Sequence, residues 1–155
     1  MSMTPALFWL IYTLAAVWLQ AFFPGPDLFA PALLLVLQER DYSRLGWLLP
    51  LWILIQEGSG SLQFGTSLLW YSGLILFFCC TRNLLDSRGF LFICLISIFA
   101  GVWQFLCLYL LSGLQELQVP KEQLLQQALQ TMLALPLLWS VLLGLKNRLL
   151  RESHV

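Results

Sequence analysis

The sequence predicts an all-α membrane protein, a bundle of about six transmembrane helices that forms a single domain over residues 1–155. The first observation is composition, because 59% of the residues are hydrophobic and only 10% are charged, whereas soluble domains have roughly 25% charged residues. One core of this size cannot hide so much apolar surface from water. The second observation is the length of the uncharged stretches, which suit the roughly 20 residues of a spanning helix. These stretches are 1–26, 58–81, 89–115 and 123–145.

The first three predicted spans are bounded by turn residues and charges. The first span, about 6–23, ends at the strong turn signal Pro24-Gly25-Pro26-Asp27. The second, about 28–37, ends at a cluster of charged residues. The third, about 45–57, ends at a polar segment rich in Gly and Ser.

The last three predicted spans have clearer limits. The fourth, about 64–80, is closed by charged residues beginning at Arg82, and the fifth is about 90–111. The sixth is about 126–145, in a helix for which Pro120 suits the first position.

The second and third spans are short for a bilayer. At 1.5 Å per residue, ten or eleven helical residues cover about half of the roughly 30 Å hydrocarbon core. A re-entrant hairpin is the alternative, but it would place Glu39, Arg40, Asp41 and Arg44 near the bilayer centre, at roughly 2.5–3.5 kcal/mol per charge. Two shortened, tilted helices cost less. The sequence therefore favours a crossing pair.

The basic residues predict that both termini are cytoplasmic. With six spans, all but one of the Lys and Arg residues fall on the same side as the termini, and Lys121 alone falls on the other side. This is the positive-inside pattern. The residues on the cytoplasmic side are Arg40, Arg44, Arg82, Arg88, Lys146, Arg148 and Arg151.

Glu57 is the first candidate for a binding residue, because it follows the apolar part of a short span. A carboxylate inside a membrane needs a partner and is a functional-site hypothesis by default. The alternative is an interfacial Glu near the N-terminus of the fourth helix, where negative charge is favoured. The side chains near it in sequence that can satisfy it are Gln56, Ser59, Ser61 and Gln63.

Other candidates surround this junction. Gly58, Gly60 and Gly65 allow unusual backbone conformations and close helix approach, but the Lys of a phosphate-binding loop is absent. Trp70 and Trp103 are deep enough to line a pocket together with Glu57.

Two Gln residues and one amphipathic stripe complete the polar pattern. Gln20 and Gln104 are expected to be hydrogen-bond partners between helices. A stripe in the last helix is expected to face away from Gln123, Gln126, Gln127 and Gln130, and to lie on the outer membrane surface or receive a partner helix. The stripe consists of Leu124, Leu125, Ala128, Leu129 and Met132.

The sequence gives no reason to expect an enzyme. His154 is the only His, so neither a catalytic triad nor a His-based metal site is expected. No cofactor or metal is predicted, and the zero net charge gives no indication of nucleic-acid binding.

Two segments resemble the rod shape-determining membrane protein MreD family. One is Phe23-Pro24-Gly25-Pro26-Asp27, followed by Pro31 and an apolar run, and the other is the junction from Leu54 to Gly65. The length and six-span layout are also similar, so the resemblance covers most of the chain. The family usually has Asp where this chain has Glu57.

The resemblance implies a non-enzymatic scaffold in the bacterial inner membrane. Such a subunit would bind an MreC-like protein and act with peptidoglycan synthases in cell elongation. The family is similar in fold to the substrate-binding subunits of energy-coupling-factor transporters. A small-molecule (vitamin-type) binding subunit of a membrane transporter is therefore the alternative.

Overall fold

The computed structural model describes residues 5–23, 25–58, 65–85, 89–114 and 120–151, and the regular structure in these ranges is entirely α-helical. The predicted all-α class and the order of six helices are confirmed. The helices are α1 (Pro5–Phe22), α2 (Phe29–Gln38), α3 (Tyr42–Gly58), α4 (Thr66–Thr81), α5 (Phe90–Leu114) and α6 (Lys121–Arg151).

Helix α2 is the centre of the bundle. Nine of its ten residues, Phe29 to Leu37, are buried, which fits a sequence that is apolar on every side. The helix contacts α3, α4 and α6. The apolar character of this short segment therefore has a structural reason, because neighbouring helices cover it.

Helix α3 is longer than its apolar run. It begins at Tyr42, three residues before the predicted start, and continues through Pro50 to Gly58. Asp41 explains the earlier start, since its Oδ1 accepts a hydrogen bond from the Arg44 amide at 3.2 Å and so satisfies a free donor of the first turn.

Helices α5 and α6 are long and apolar enough to cross a membrane, over Phe90–Leu114 and Lys121–Leu149. They pack closely where Gly101 of α5 faces α6, and a Cβ on Gly101 would lie 3.0 Å from the Ala128 carbonyl oxygen. Large apolar side chains remain exposed along the outside of the bundle, including Leu14, Phe22 and Leu133.

Polar contacts tie the helices together at one end of the bundle. Glu39, just after α2, forms a salt bridge with Lys146 of α6. Next to it, Trp139 Nε1 donates to Gln38 Oε1 at 3.2 Å. Arg40, Arg44, Arg82 and Arg148 belong to helix ends at this same end, so the basic residues of the described ranges gather there, apart from Lys121.

Candidate functional site

A single carboxylate, Asp27, organises the opposite end of the bundle. It lies in the linker between α1 and α2, and its Oδ1 accepts hydrogen bonds from three elements. Gln20 Nε2 of α1 donates at 3.3 Å, and the Phe29 amide at the start of α2 donates at 2.9 Å. Gln56 Nε2 of α3 donates at 2.9 Å. The linker is thus held to three helices.

The second oxygen of Asp27 binds α4. Trp70 Nε1 donates to Oδ2 at 3.1 Å, and Tyr71 Oη donates at 2.8 Å. With five donors directed at its two oxygens, the side chain has no room to donate a proton of its own, so the arrangement fits the ionised form. Charge-assisted hydrogen bonds of this kind are stronger than neutral ones.

The local fold explains how Asp27 reaches this position. Its bond to the amide two residues ahead is the Asx turn typical of Asp at a helix start. Tyr12 supports the same linker, because its hydroxyl donates to the Leu28 carbonyl oxygen at 2.5 Å. Burial raises the pKa of Asp27, while the hydrogen bonds from Tyr71, the Phe29 amide, Trp70 and Gln20 act in the opposite direction.

Asp27 forms part of the wall of a cavity of about 630 Å³, within the range of small-molecule sites. The cavity is enclosed by the C-terminal parts of α1, α3 and α5 and the N-terminal parts of α4 and α6. Its polar lining residues, with the two aromatic residues that bind Asp27, are Gln20, Asp27, Gln56, Thr66, Ser67, Trp70, Tyr71, Gln104, Gln127, Gln130 and Thr131.

Two polar atoms in this wall have no hydrogen-bond partner among the described residues. They are Ser67 Oγ and Gln104 Oε1, and both atoms are buried within the protein, with no surface open to the cavity. Ser67 is 2% exposed. A buried polar group without a partner costs about 1–3 kcal/mol, so these two atoms lower the stability of this end of the bundle.

Of the predicted site residues, Gln56 and Trp70 belong to this cavity. Glu57 has a different position, outside the cavity lining. Its Oε1 accepts a hydrogen bond from the Gly65 amide at 2.9 Å. Gly65 precedes α4 with φ of 89°, a conformation in which Gly is favoured. Glu57 therefore joins the end of α3 to the start of α4.

The other predicted residues fall outside the cavity lining or outside the described ranges. Gly58 is exposed and is the last residue of α3, whereas Gly60 and Gln63 lie outside the described residues. Trp103 donates from Nε1 to the Leu69 carbonyl oxygen at 3.3 Å and packs against Gly73. Of the predicted set of Trp70, Trp103 and Glu57, only Trp70 therefore lines the cavity.

Sequence reasoning missed Asp27 and Tyr71. In the sequence, Asp27 belongs to a turn signal and Tyr71 to an apolar span, and neither position predicts a binding role. One sequence signal for the cavity was present: five Gln side chains lie near the ends of the predicted spans on the same side. They are Gln20, Gln56, Gln104, Gln127 and Gln130. The predicted hydrogen bonds between helices are not found for either Gln: Gln20 donates to Asp27 in the linker after its own helix, and Gln104 Oε1 has no partner within the described ranges.

The residues of the predicted apolar stripe on α6 do not all have the same burial. Leu124 and Ala128 are buried, but Leu125 and Leu129 are about half exposed. Gln127 and Gln130 line the cavity beside Asp27.

Neither a metal centre nor a known relative points to a function. Within the described ranges, no group of three or more His, Cys, Asp or Glu side chains is placed to hold a metal ion. No family model, curated protein or solved structure matches the chain. The geometry around Asp27 is therefore the main guide to function.

Proposed function

We propose that this chain is a non-enzymatic scaffold subunit of the bacterial cell-elongation complex. In this proposal it lies in the inner membrane as six spanning helices, with both termini in the cytoplasm. It binds an MreC-like membrane protein and, through it, coordinates the peptidoglycan synthases that maintain a rod shape.

One observation carries the proposal. Two segments, 23–27 and 54–65, resemble the MreD family and are far apart in sequence, and described residues of both meet in the fold. Gln56 Nε2 donates to Asp27 Oδ1 at 2.9 Å, and Glu57 next to it binds the Gly65 amide. Because residues of both segments contact one another at one end of the bundle, the two partial resemblances support the same family.

The shape of the bundle supports a role in assembly inside a membrane. Helices α5 and α6 have the length and composition to cross a bilayer, and the outside of the bundle carries exposed apolar side chains such as Leu14 and Leu133. The concentration of basic residues at the end remote from Asp27 agrees with the positive-inside pattern. These features favour docking of a partner's helix or of lipid on the outside.

The test is depletion of the protein in its rod-shaped host. Cells are expected to become round, and the wild-type gene should restore their shape. Asp27→Ala should restore it poorly, whereas Asp41→Ala, a change in the linker at the other end, should restore it well. Normal rods after a clean deletion would refute the proposal.

Crosslinking tests the partner directly. A photoreactive amino acid at Gly58, beside the junction of α3 and α4, should capture an MreC-like protein in membranes. The same amino acid at Asn147, an exposed position at the other end of the bundle, should not. Equal capture from both positions would show that the Asp27 end is not the docking surface.

The cavity favours a second candidate, a small-molecule-binding subunit of a membrane transporter. Its size and mixture of polar and aromatic walls suit such a site. Copurification of the chain with a pair of ATPases, and a vitamin-sized molecule in its native mass spectrum, would support this function. Copurification with an MreC-like protein instead would support the scaffold.

A further inference from the structure

We propose that the end of the bundle remote from Asp27 binds the headgroups of anionic phospholipids in the membrane around it. The contact residues are Arg40, Arg82 and Arg148, each at the end of a helix or just after it. This inference rests on the membrane placement in the proposed function, but not on a role in cell elongation. It follows from the charge pairing at this end, from the exposure of these Arg side chains and from their apolar neighbours.

The acidic side chains at this end are already paired. Asp41 forms a salt bridge with Arg44, in which Oδ2 lies 2.8 Å from Nε. Glu39 forms a salt bridge with Lys146. The four charges cancel in two pairs, and the described ranges contain no other Asp or Glu at this end.

Three Arg residues therefore remain as uncompensated positive charges. Arg40 and Arg148 are exposed, and within the described ranges neither side chain forms a hydrogen bond or a salt bridge. Arg82 donates from Nη1 to the Tyr42 hydroxyl at 2.7 Å, and the other N–H groups of its guanidinium stay available. In the adjoining sequence the acidic and basic residues are equal in number, namely Asp86 and Glu152 against Arg88 and Arg151.

The uncompensated charges gather around the turn between α2 and α3. The bond from Arg82 joins the end of α4 to Tyr42, the first residue of α3, and Arg40 lies two positions before Tyr42. The salt bridge of Lys146 with Glu39 brings the end of α6, which carries Arg148, beside the same turn. Because a guanidinium can donate two parallel hydrogen bonds to phosphate oxygens, this arrangement suits a phosphodiester.

The backbone of Arg40 shows that the turn does not need this side chain for its own shape. Its φ is 57°, in the left-handed region, where Gly is favoured. A residue with a Cβ is strained there, and strain of this kind is a reason to look for a function. Since the Arg40 side chain is exposed and unpaired within the described ranges, that function is contact with something outside the chain.

Exposed apolar side chains beside the Arg residues identify the partner as a lipid. Leu84, two positions after Arg82, is 83% exposed, and Phe90 at the start of α5 is 78% exposed. Leu145, one turn before Arg148, is 47% exposed. A soluble anion would leave these side chains in water, whereas a phospholipid covers them with its acyl chains while its headgroup meets the Arg side chains.

The test is competition between two lipids with the same acyl chains, anionic phosphatidylglycerol and zwitterionic phosphatidylcholine. Both are added to the purified full-length protein in a neutral detergent, and native mass spectrometry gives the ratio of the two bound lipids. One basic residue near an anionic surface strengthens binding by about fivefold. Three of them predict a preference of about 100-fold for phosphatidylglycerol.

Three variants separate a binding role from a structural role. Arg40→Gly and Arg82→Gln each remove one charge, so each should reduce the preference by about fivefold. The matched control is Lys121→Gln, which removes the same charge at an exposed position at the other end of the bundle, and it should keep the preference. Arg40→Gly should not lower the Tm of the protein without lipid, because Gly suits a φ of 57°.

Four results would overturn the inference. The first is equal binding of the two lipids. The second is an equal loss of preference in Lys121→Gln, which would show an effect of net charge alone. The third is a rise in Tm with inorganic phosphate as large as that with phosphatidylglycerol, which would assign the surface to a free anion. The fourth is a fall in the Tm of lipid-free Arg40→Gly, which would assign Arg40 to the fold.

Failure of the membrane placement itself has a different signature. A chain that stays in solution without detergent and binds neither lipid would contradict the proposed function as well. A chain that needs detergent and binds both lipids equally would contradict only the inference about the headgroups. The two failures are therefore distinguishable.

Discussion

Replacement of Asp27 is the most informative test of the structure. Asp27→Ala removes the acceptor for five donors. The amides of Gln20 and Gln56 and the Tyr71 hydroxyl can turn toward water in the cavity, but the Phe29 backbone N–H and the Trp70 indole N–H are fixed donors. A stranded buried donor costs about 1–3 kcal/mol. Two of them therefore predict a loss of about 2–6 kcal/mol in the free energy of unfolding.

The conservative variant should have a smaller effect. Asp27→Asn keeps one oxygen, which can still accept from Phe29, while its new NH₂ group faces Trp70 and Tyr71. The Tyr71 hydroxyl can reverse its direction and accept, so only the Trp70 donor is stranded. The expected loss is about 1–3 kcal/mol. The order of stability is therefore wild type, then Asp27→Asn, then Asp27→Ala.

The assay is thermal unfolding in detergent, in which each kcal/mol corresponds to about 2–4 °C for a chain of this size. Asp27→Ala should lower the Tm by about 5–20 °C. Asp41→Ala is the matched control, because Asp41 also binds a backbone amide but is 28% exposed, and it should cost about 1 kcal/mol. Equal Tm values for Asp27→Ala and Asp41→Ala would refute the assigned role of Asp27.

Two further predictions concern packing and the opposite end of the bundle. Gly73→Ala should lower the Tm because the new Cβ would lie 2.1 Å from Trp103 Nε1. Gly113→Ala has open space around it and should raise the Tm through better helix propensity. If both variants shift the Tm in the same direction, the packing described for Gly73 is contradicted. In the salt bridge between Glu39 and Lys146, the Lys side chain is 7% exposed and the Glu side chain 34% exposed. Glu39→Gln leaves the buried Lys146 charge without its partner and should therefore lower the Tm more than Lys146→Met does. A larger fall in Tm for Lys146→Met would contradict this reasoning.

The number and order of the helices were predictable because charges mark the ends of apolar spans. The linkers contain charged residues or turn-forming Pro, Gly and Ser residues, so charges and turn signals together locate the helices. The central position of α2 was not predictable in this way. A short apolar run looks the same in sequence whether lipid or other helices surround it.

The site was only half predictable, and the two acids near it show why. Asp27 follows α1 and Glu57 lies in the last turn of α3, at the same end of the bundle, and the sequence pattern favours Glu57. The difference between them depends on long-range contacts. Asp27 is reached by Trp70 and Tyr71, more than forty positions away, whereas the partner of Glu57 is the amide of Gly65, eight residues ahead. No local pattern contains that information.

The buried position of α2 has a consequence for biosynthesis. One side of α2 is covered by α6, which leaves the ribosome only after α2, α3, α4 and α5, and the contacts between the two join Gln38 to Trp139 and Glu39 to Lys146. Until translation has passed residue 146, α2 has no final neighbour on that side, and the cavity lacks the wall that Gln127 and Thr131 provide. The nascent chain must therefore hold a ten-residue helix in an incomplete bundle, and a product truncated before α6 would leave that helix without one of its neighbours.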